Sequence, residues 1–164
     1  MKTSAKFTLF LTSIMMFTLS AAANADGTDT SNAAYSKTVH GITMYLGVMP
    51  ARIILKQYQK ASPEAQMHGG LPLGGNNYHV MIALFNSING KRITDAKPMA
   101  TVREIGLSGE TKKLQTMTIA GATTYGNYFT LPDSDTNYRI DLAIRLPGQP
   151  APIHAEFTYR LCNE

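Results

Sequence analysis

The chain has no tryptophan, one cysteine and little charge, with Asp, Glu, Lys and Arg making up 16% of its 164 residues. A single thiol, Cys162, cannot form an internal disulfide, so the fold must be held by packing. Basic residues never gather beyond the isolated pairs Lys91-Arg92 and Lys112-Lys113. That excludes a nucleic-acid or anionic-membrane surface, either of which needs a denser cluster. Glycines are present but make no phosphate cradle, since no G-K-[ST] and no following helix accompany them. His68-Gly69-Gly70 is superficially like an esterase oxyanion segment, yet Gly106-Leu107-Ser108-Gly109-Glu110 is not a nucleophile elbow. Asp133 and Asp135 fall in a turn, where aspartate caps backbone groups. With no nucleophile, dyad or phosphate loop, the expectation is a protein that is not an enzyme.

What is present begins with a leader. Lys2 and Lys6 precede the apolar run Phe7 to Leu19, and Ala23-Asn24-Ala25 follows. A positive start, a short apolar stretch and an A-x-A site read as a secretory signal peptide over 1–25, cleaved after Ala25. The run is too short to span a bilayer comfortably, and no second one exists. The expectation is a periplasmic protein with no stable membrane anchor. Cys162 does not follow the leader, so it is not a lipoprotein anchor. Cleavage removes two lysines and no acid, which lowers the formal charge from +4 to +2.

Residues 26–38 are small and polar and read as a disordered lead-in. A single β-sandwich domain is expected over 39–162. Apolar and polar positions alternate from Val39 to Val48, with His40, Ile42, Met44 and Leu46 in one set. Residues 51–60 suit either a helical face or a buried strand. Residues 61–77 hold four glycines and two prolines and read as a long loop of the kind that is often functional. Further strands are expected over 78–85, 97–105, 114–119, 125–131, 138–146 and 153–161, separated by turns such as Asn89-Gly90. About seven short strands and no convincing long helix argue for an all-β, immunoglobulin-like antiparallel sandwich.

The run Tyr78-His-Val-Met-Ile-Ala-Leu-Phe85, followed by Asn89-Gly-Lys-Arg-Ile-Thr-Asp-Ala-Lys-Pro-Met-Ala-Thr-Val102, resembles the opening of YtkA-like and FixH-like periplasmic domains. Tyr125-Gly-Asn-Tyr-Phe-Thr-Leu-Pro132 and Asn137-Tyr-Arg-Ile-Asp-Leu-Ala-Ile144 continue the likeness, which spans about residues 78–160. The resemblance implies the sandwich fold and, by association, a setting beside metal-transport or respiratory-assembly systems. A fold-level likeness transfers little function.

The candidate chemistry is in histidine and methionine. His40 with Met44, Met67 beside His68, and His79 with Met81 are close in sequence. Imidazole and thioether donors suit copper, with Met favouring Cu(I). Residues two or four apart in a strand share a face, so His40/Met44 and His79/Met81 each present both donors on one side. Met67 and His68 sit in the glycine-rich loop, where packing gives a histidine no role. The bland alternative is that Met44 and Met81 fill core gaps, that His79 hydrogen-bonds at the rim, and that Tyr125 and Tyr128 pack. His154 reads as a solvated residue on a polar face. The functional expectation is a copper-binding protein that hands its metal to a membrane transporter or assembly complex. The other expectation is a metal-free interaction module for such a complex.

Overall fold

The computed structural model describes residues 35–53, 69–70, 72, 74–132 and 135–162. The leader, most of the 26–38 segment and the Met67-His68 pair lie outside the described residues. Among the described residues nine strands run in chain order: β1 (Ser36–Val39), β2 (Ile42–Pro50), β3 (Asn77–Asn86), β4 (Lys97–Glu104), β5 (Glu110–Lys113), β6 (Gln115–Ile119), β7 (Ala122–Thr130), β8 (Thr136–Arg145) and β9 (Ile153–Leu161). They form two antiparallel sheets, one ordered β1-β2-β3-β7-β6 and the other β5-β4-β8-β9. This is the expected all-β sandwich. Its strand count exceeds seven because β1 and β5 are short, polar edge strands with no apolar alternation to announce them. The lead-in accordingly stops short of 38, since Ser36 to Thr38 pair with Tyr45 to Thr43 in the β1–β2 hairpin.

Alternation places the core. Ile42, Met44 and Leu46 of β2 and Val80, Ile82 and Leu84 of β3 face Ala100, Val102, Ile140, Leu142, Ile144 and Phe157 of the second sheet. Full burial of each such side chain is worth about 1.5–3 kcal/mol, enough in sum to close the sandwich without a disulfide. Leu114 lies between β5 and β6, where the chain changes sheets. It is 1% exposed, and its N–H donates to the Pro98 carbonyl at 3.0 Å.

Two hairpins fix the first sheet's register. In β1–β2 the central pair is His40 (φ 47°) and Gly41 (φ 78°); in β6–β7 it is Ala120 (φ 50°) and Gly121 (φ 77°). Positive φ at both central residues is the type I′ geometry, whose twist matches the strands it joins. Asn89-Gly90 also lies in a turn, one that Asn86 holds by accepting from the N–H groups of Ile88 and Asn89 at 2.9 and 3.1 Å. After Pro50 the chain enters a helical turn at residues 51–53, and the helix-or-strand alternative for the rest of 51–60 lies outside the described residues.

The two outward faces differ in chemistry. The four-stranded sheet carries ion pairs, Arg103 to Asp141 at 2.8 Å and Arg139 to Glu156 at 3.4 Å. The five-stranded sheet has no charged residue in the outward positions of its strands. Those positions hold Thr43, Tyr45, Gly47 and Met49 on β2, His79, Met81, Ala83 and Phe85 on β3, Thr124, Gly126 and Tyr128 on β7, and Gln115 and Met117 on β6.

Candidate metal centre

Strand register brings Met49, His79 and Met81 into two neighbouring outward rows, with Met117 opposite Thr124 in the row beyond. Met49, His79 and Tyr128 stand side by side across β2, β3 and β7. In the next row Gly47, Met81, Gly126 and Gln115 cross β2, β3, β7 and β6. His79 is 1% exposed, and its ring lies 4.9 Å from that of Tyr128 at an interplanar angle of 35°. Burial on an outward face is unusual for histidine, which normally stays wet there.

Two glycines make the floor of this arrangement. A methyl group on Gly126 would stand 2.6 Å from Nε2 of His79 and 2.9 Å from Sδ of Met117. The imidazole nitrogen and the thioether sulfur therefore both close on one point above the bare backbone of Gly126. Gly47 does the same for Met81, whose Cγ and Sδ lie 2.9 and 3.4 Å from the position a methyl group would take. Glycine inside a strand weakens it, and commonly marks a place where something else approaches closely. Met117 is buried, and the hydroxyl of Thr124, its cross-strand neighbour, is buried with no hydrogen-bond partner among the described residues. A bound ion or water is what usually satisfies such a group.

The phenol beside His79 is neutral. Burial pushes the Tyr128 phenol above its usual value of 10.0, so it stays protonated and acts as an apolar wall. Met49 packs with Tyr128 and Ala51 in a small cluster of its own. Met49 also lines an open cavity of about 480 Å³ beyond the end of β2, together with Arg52, Tyr78 and Tyr159. A shallower hollow lies towards the other end of the face, where Tyr45 and Phe85 meet edge to face at 5.6 Å and Arg92 covers Phe85 at 4.5 Å. Neither is lined by His79 or Met117, so the paired donors sit in packed structure and not in an open pocket.

The other residues expected from the sequence are placed elsewhere. His40 and Met44 do not share an outward face. His40 occupies the β1–β2 turn, exposed, because a His-Gly pair adopts positive φ there and ends the alternation. It lies nine residues from Met49, the cross-strand neighbour of His79, a span of roughly 30 Å at strand rise. Met44 is 0% exposed and points into the sandwich between Ile42 and Leu46. His154 is exposed on β9. Of the expected donors among the described residues, His79 and Met81 share one surface, and Met117, which the sequence did not single out, joins them there; Met67 and His68 lie outside the described residues. A Met44→Leu variant, which conserves volume in the core, is expected to leave metal affinity unchanged. Competition titration against wild type checks this, and a loss of affinity would return Met44 to the ligand set.

Among the described residues no three His, Cys, Asp or Glu side chains come together as a metal site, and no helix is long and apolar enough to cross a membrane. Among the described residues the arrangement therefore has no hard, carboxylate-rich centre, and what it offers is an imidazole nitrogen with a thioether sulfur.

No protein-family model and no curated protein sequence matches this chain. Solved structures do. A DUF4426 family protein from Pseudomonas aeruginosa superposes with a TM-score of 0.58 at 11% identity, covering 79% of this chain and 94% of that one. A copper-bound variant of FetP from uropathogenic Escherichia coli strain F11 gives 0.57 at 12% identity, covering 79% and 95%. As-isolated FetP of the same strain, expressed in the periplasm, gives 0.55 at 14% identity with the same coverage. The chain thus has the β-sandwich fold of these proteins, in keeping with its resemblance to small periplasmic domains.

Proposed function

We propose that this chain is an exported, periplasmic copper-binding protein that holds the metal between His79 and the sulfur of Met117, with Met81 beside them on β3, and releases it to a membrane transporter or assembly complex without chemical turnover. The observation that carries this reading is the convergence of His79 Nε2 and Met117 Sδ on one point above the bare backbone of Gly126. The donor set fits copper, for which imidazole and thioether are both good ligands. The copper-bound state of a structural neighbour, FetP, adds to it. The leader supports export.

Each residue has a defined part in such a site. The His79 ring is held against Tyr128, which fixes its plane before any ligand arrives. Gly126 and Gly47 keep the space beside the donors free of side chains. Burial of Tyr128 and Met117 excludes water from the donors. Copper, when bound, supplies only coordination chemistry.

The test is a competition titration of the purified protein with a chromophoric copper chelator. Wild type is expected to bind stoichiometrically, and His79→Leu to bind at least about tenfold more weakly, by the loss of one of few ligands. A His79→Leu protein that melts normally and binds copper like wild type would remove His79 from the site.

A further inference from the structure

We infer that the site is selective for oxidation state, taking Cu(I) in preference to Cu(II), with Met117 on the edge strand β6 as the sulfur ligand that secures the choice. The inference rests on the copper reading above and narrows it to one ion.

Three independent features point the same way. The first is donor type. Soft thioethers select Cu(I), whereas Cu(II) prefers a tetragonal set of nitrogen and oxygen donors. Only one imidazole nitrogen, that of His79, approaches the Met117 sulfur here. Among the described residues no cluster of His, Cys, Asp or Glu supplies the harder donors. The second is charge. The outward positions of the five-stranded sheet's strands hold no carboxylate, while Arg103–Asp141 and Arg139–Glu156 pair on the opposite sheet. A divalent ion on this face therefore meets no anionic compensation from the described strands of its sheet. The third is burial. His79 is 1% and Met117 4% exposed, and the cost of moving an ion from water into such a medium rises with the square of its charge. A dry, neutral cradle thus disfavours the divalent ion more than the monovalent one.

Met117 has a particular part because of where it comes from. Its strand β6 is at the sheet edge and pairs only with β7. The sulfur reaches over Gly126 from the opposite side to His79, so donors from two non-adjacent strands close on the same point. His79 and Met81 alone come from one strand and leave that side open. Met117 completes a low-coordinate nitrogen–sulfur arrangement of the kind that Cu(I) accepts.

The experiment uses the full purified protein and both ions. Cu(I) is titrated anaerobically against bathocuproine disulfonate, and Cu(II) aerobically against nitrilotriacetate. The expected result is stoichiometric Cu(I) binding with Cu(II) at least about a hundredfold weaker. Met117→Leu should weaken Cu(I) by about tenfold and leave Cu(II) almost unchanged, and Met117→His should move the preference towards Cu(II). The comparison of the two ions on wild type stands even if either variant misfolds. Cu(II) binding as tight as Cu(I), or a folded Met117→Leu with wild-type Cu(I) affinity, would overturn the selectivity while the copper reading survives. Binding of neither ion would overturn both.

Discussion

Gly126→Ala is expected to weaken copper binding by about a hundredfold or more, equivalent to about 2.7 kcal/mol, while the sandwich stays folded. The backbone at Gly126 is not among the positive-φ positions, so alanine meets no conformational penalty there. Inside a strand, alanine is favoured over glycine by roughly 0.5–1 kcal/mol. The steric effect falls on the site. The new methyl would stand 2.6 Å from His79 Nε2 and 2.9 Å from Met117 Sδ, closer than side chains tolerate, so both must move. Met117 is flexible and can swing away. His79 has less freedom, being buried against Tyr128. Either movement separates the donors, and one substitution disables two ligands without removing either. Gly47→Ala touches only Met81 and should have a smaller effect. A copper titration paired with a thermal melt checks the prediction. Wild-type affinity in a folded Gly126→Ala protein would mean that the nitrogen and sulfur do not act together.

Much of the sandwich was legible because its inner faces follow period two. Tyr138, Ile140, Leu142 and Ile144 of β8 and Ile153, Ala155 and Phe157 of β9 alternate in the sequence and are buried in the structure. The same rule placed Met44 with Ile42 and Leu46, and an apolar set of that kind goes to the core. His40 escaped it because a turn flips the chain there, and a His-Gly turn lacks the stronger Asn-Gly signature. The centre itself was half legible. His79 and Met81 are two apart in one strand, so their shared face follows from local geometry. Met117 lies 38 residues from His79, and only the β3–β7–β6 register brings them together. Register between non-adjacent strands leaves no local trace. The available signal was Gly126, a glycine inside an aromatic strand, which marks close approach without naming what approaches.

Tyr125→Phe is expected to lower the melting temperature by about 4–10 °C and to blunt the protein's sensitivity to alkali. Tyr125 is 0% exposed and faces inward from β7. Its hydroxyl accepts from the Ala96 N–H at 3.0 Å and donates to the Ile93 carbonyl at 3.2 Å. Both partners belong to the segment that carries the chain from β3 in one sheet to β4 in the other, so this phenol ties the crossover to the first sheet. Phenylalanine fills the same space and leaves a buried donor and acceptor unpaired, at a cost of about 1–3 kcal/mol. Burial is the main cause that raises the phenol's pKa above 10.0; the Asp95 charge adds to it, and the hydrogen bond from Ala96 opposes it. A raised pKa means that the folded protein favours the neutral form. The associated stability is therefore complete below about pH 10, where the phenol is neutral in both states, and is lost as pH rises through the folded-state value. Tyr128, raised by burial as well, contributes in the same direction. Thermal melts between about pH 8 and 11 should show wild type losing stability steeply at the alkaline end. Tyr125→Phe should start lower and fall less, because only Tyr128 of the pair then remains to ionise. If the variant melts like wild type at neutral pH, the hydroxyl does not hold the crossover. If it loses stability in alkali as steeply as wild type, the titrating group lies elsewhere.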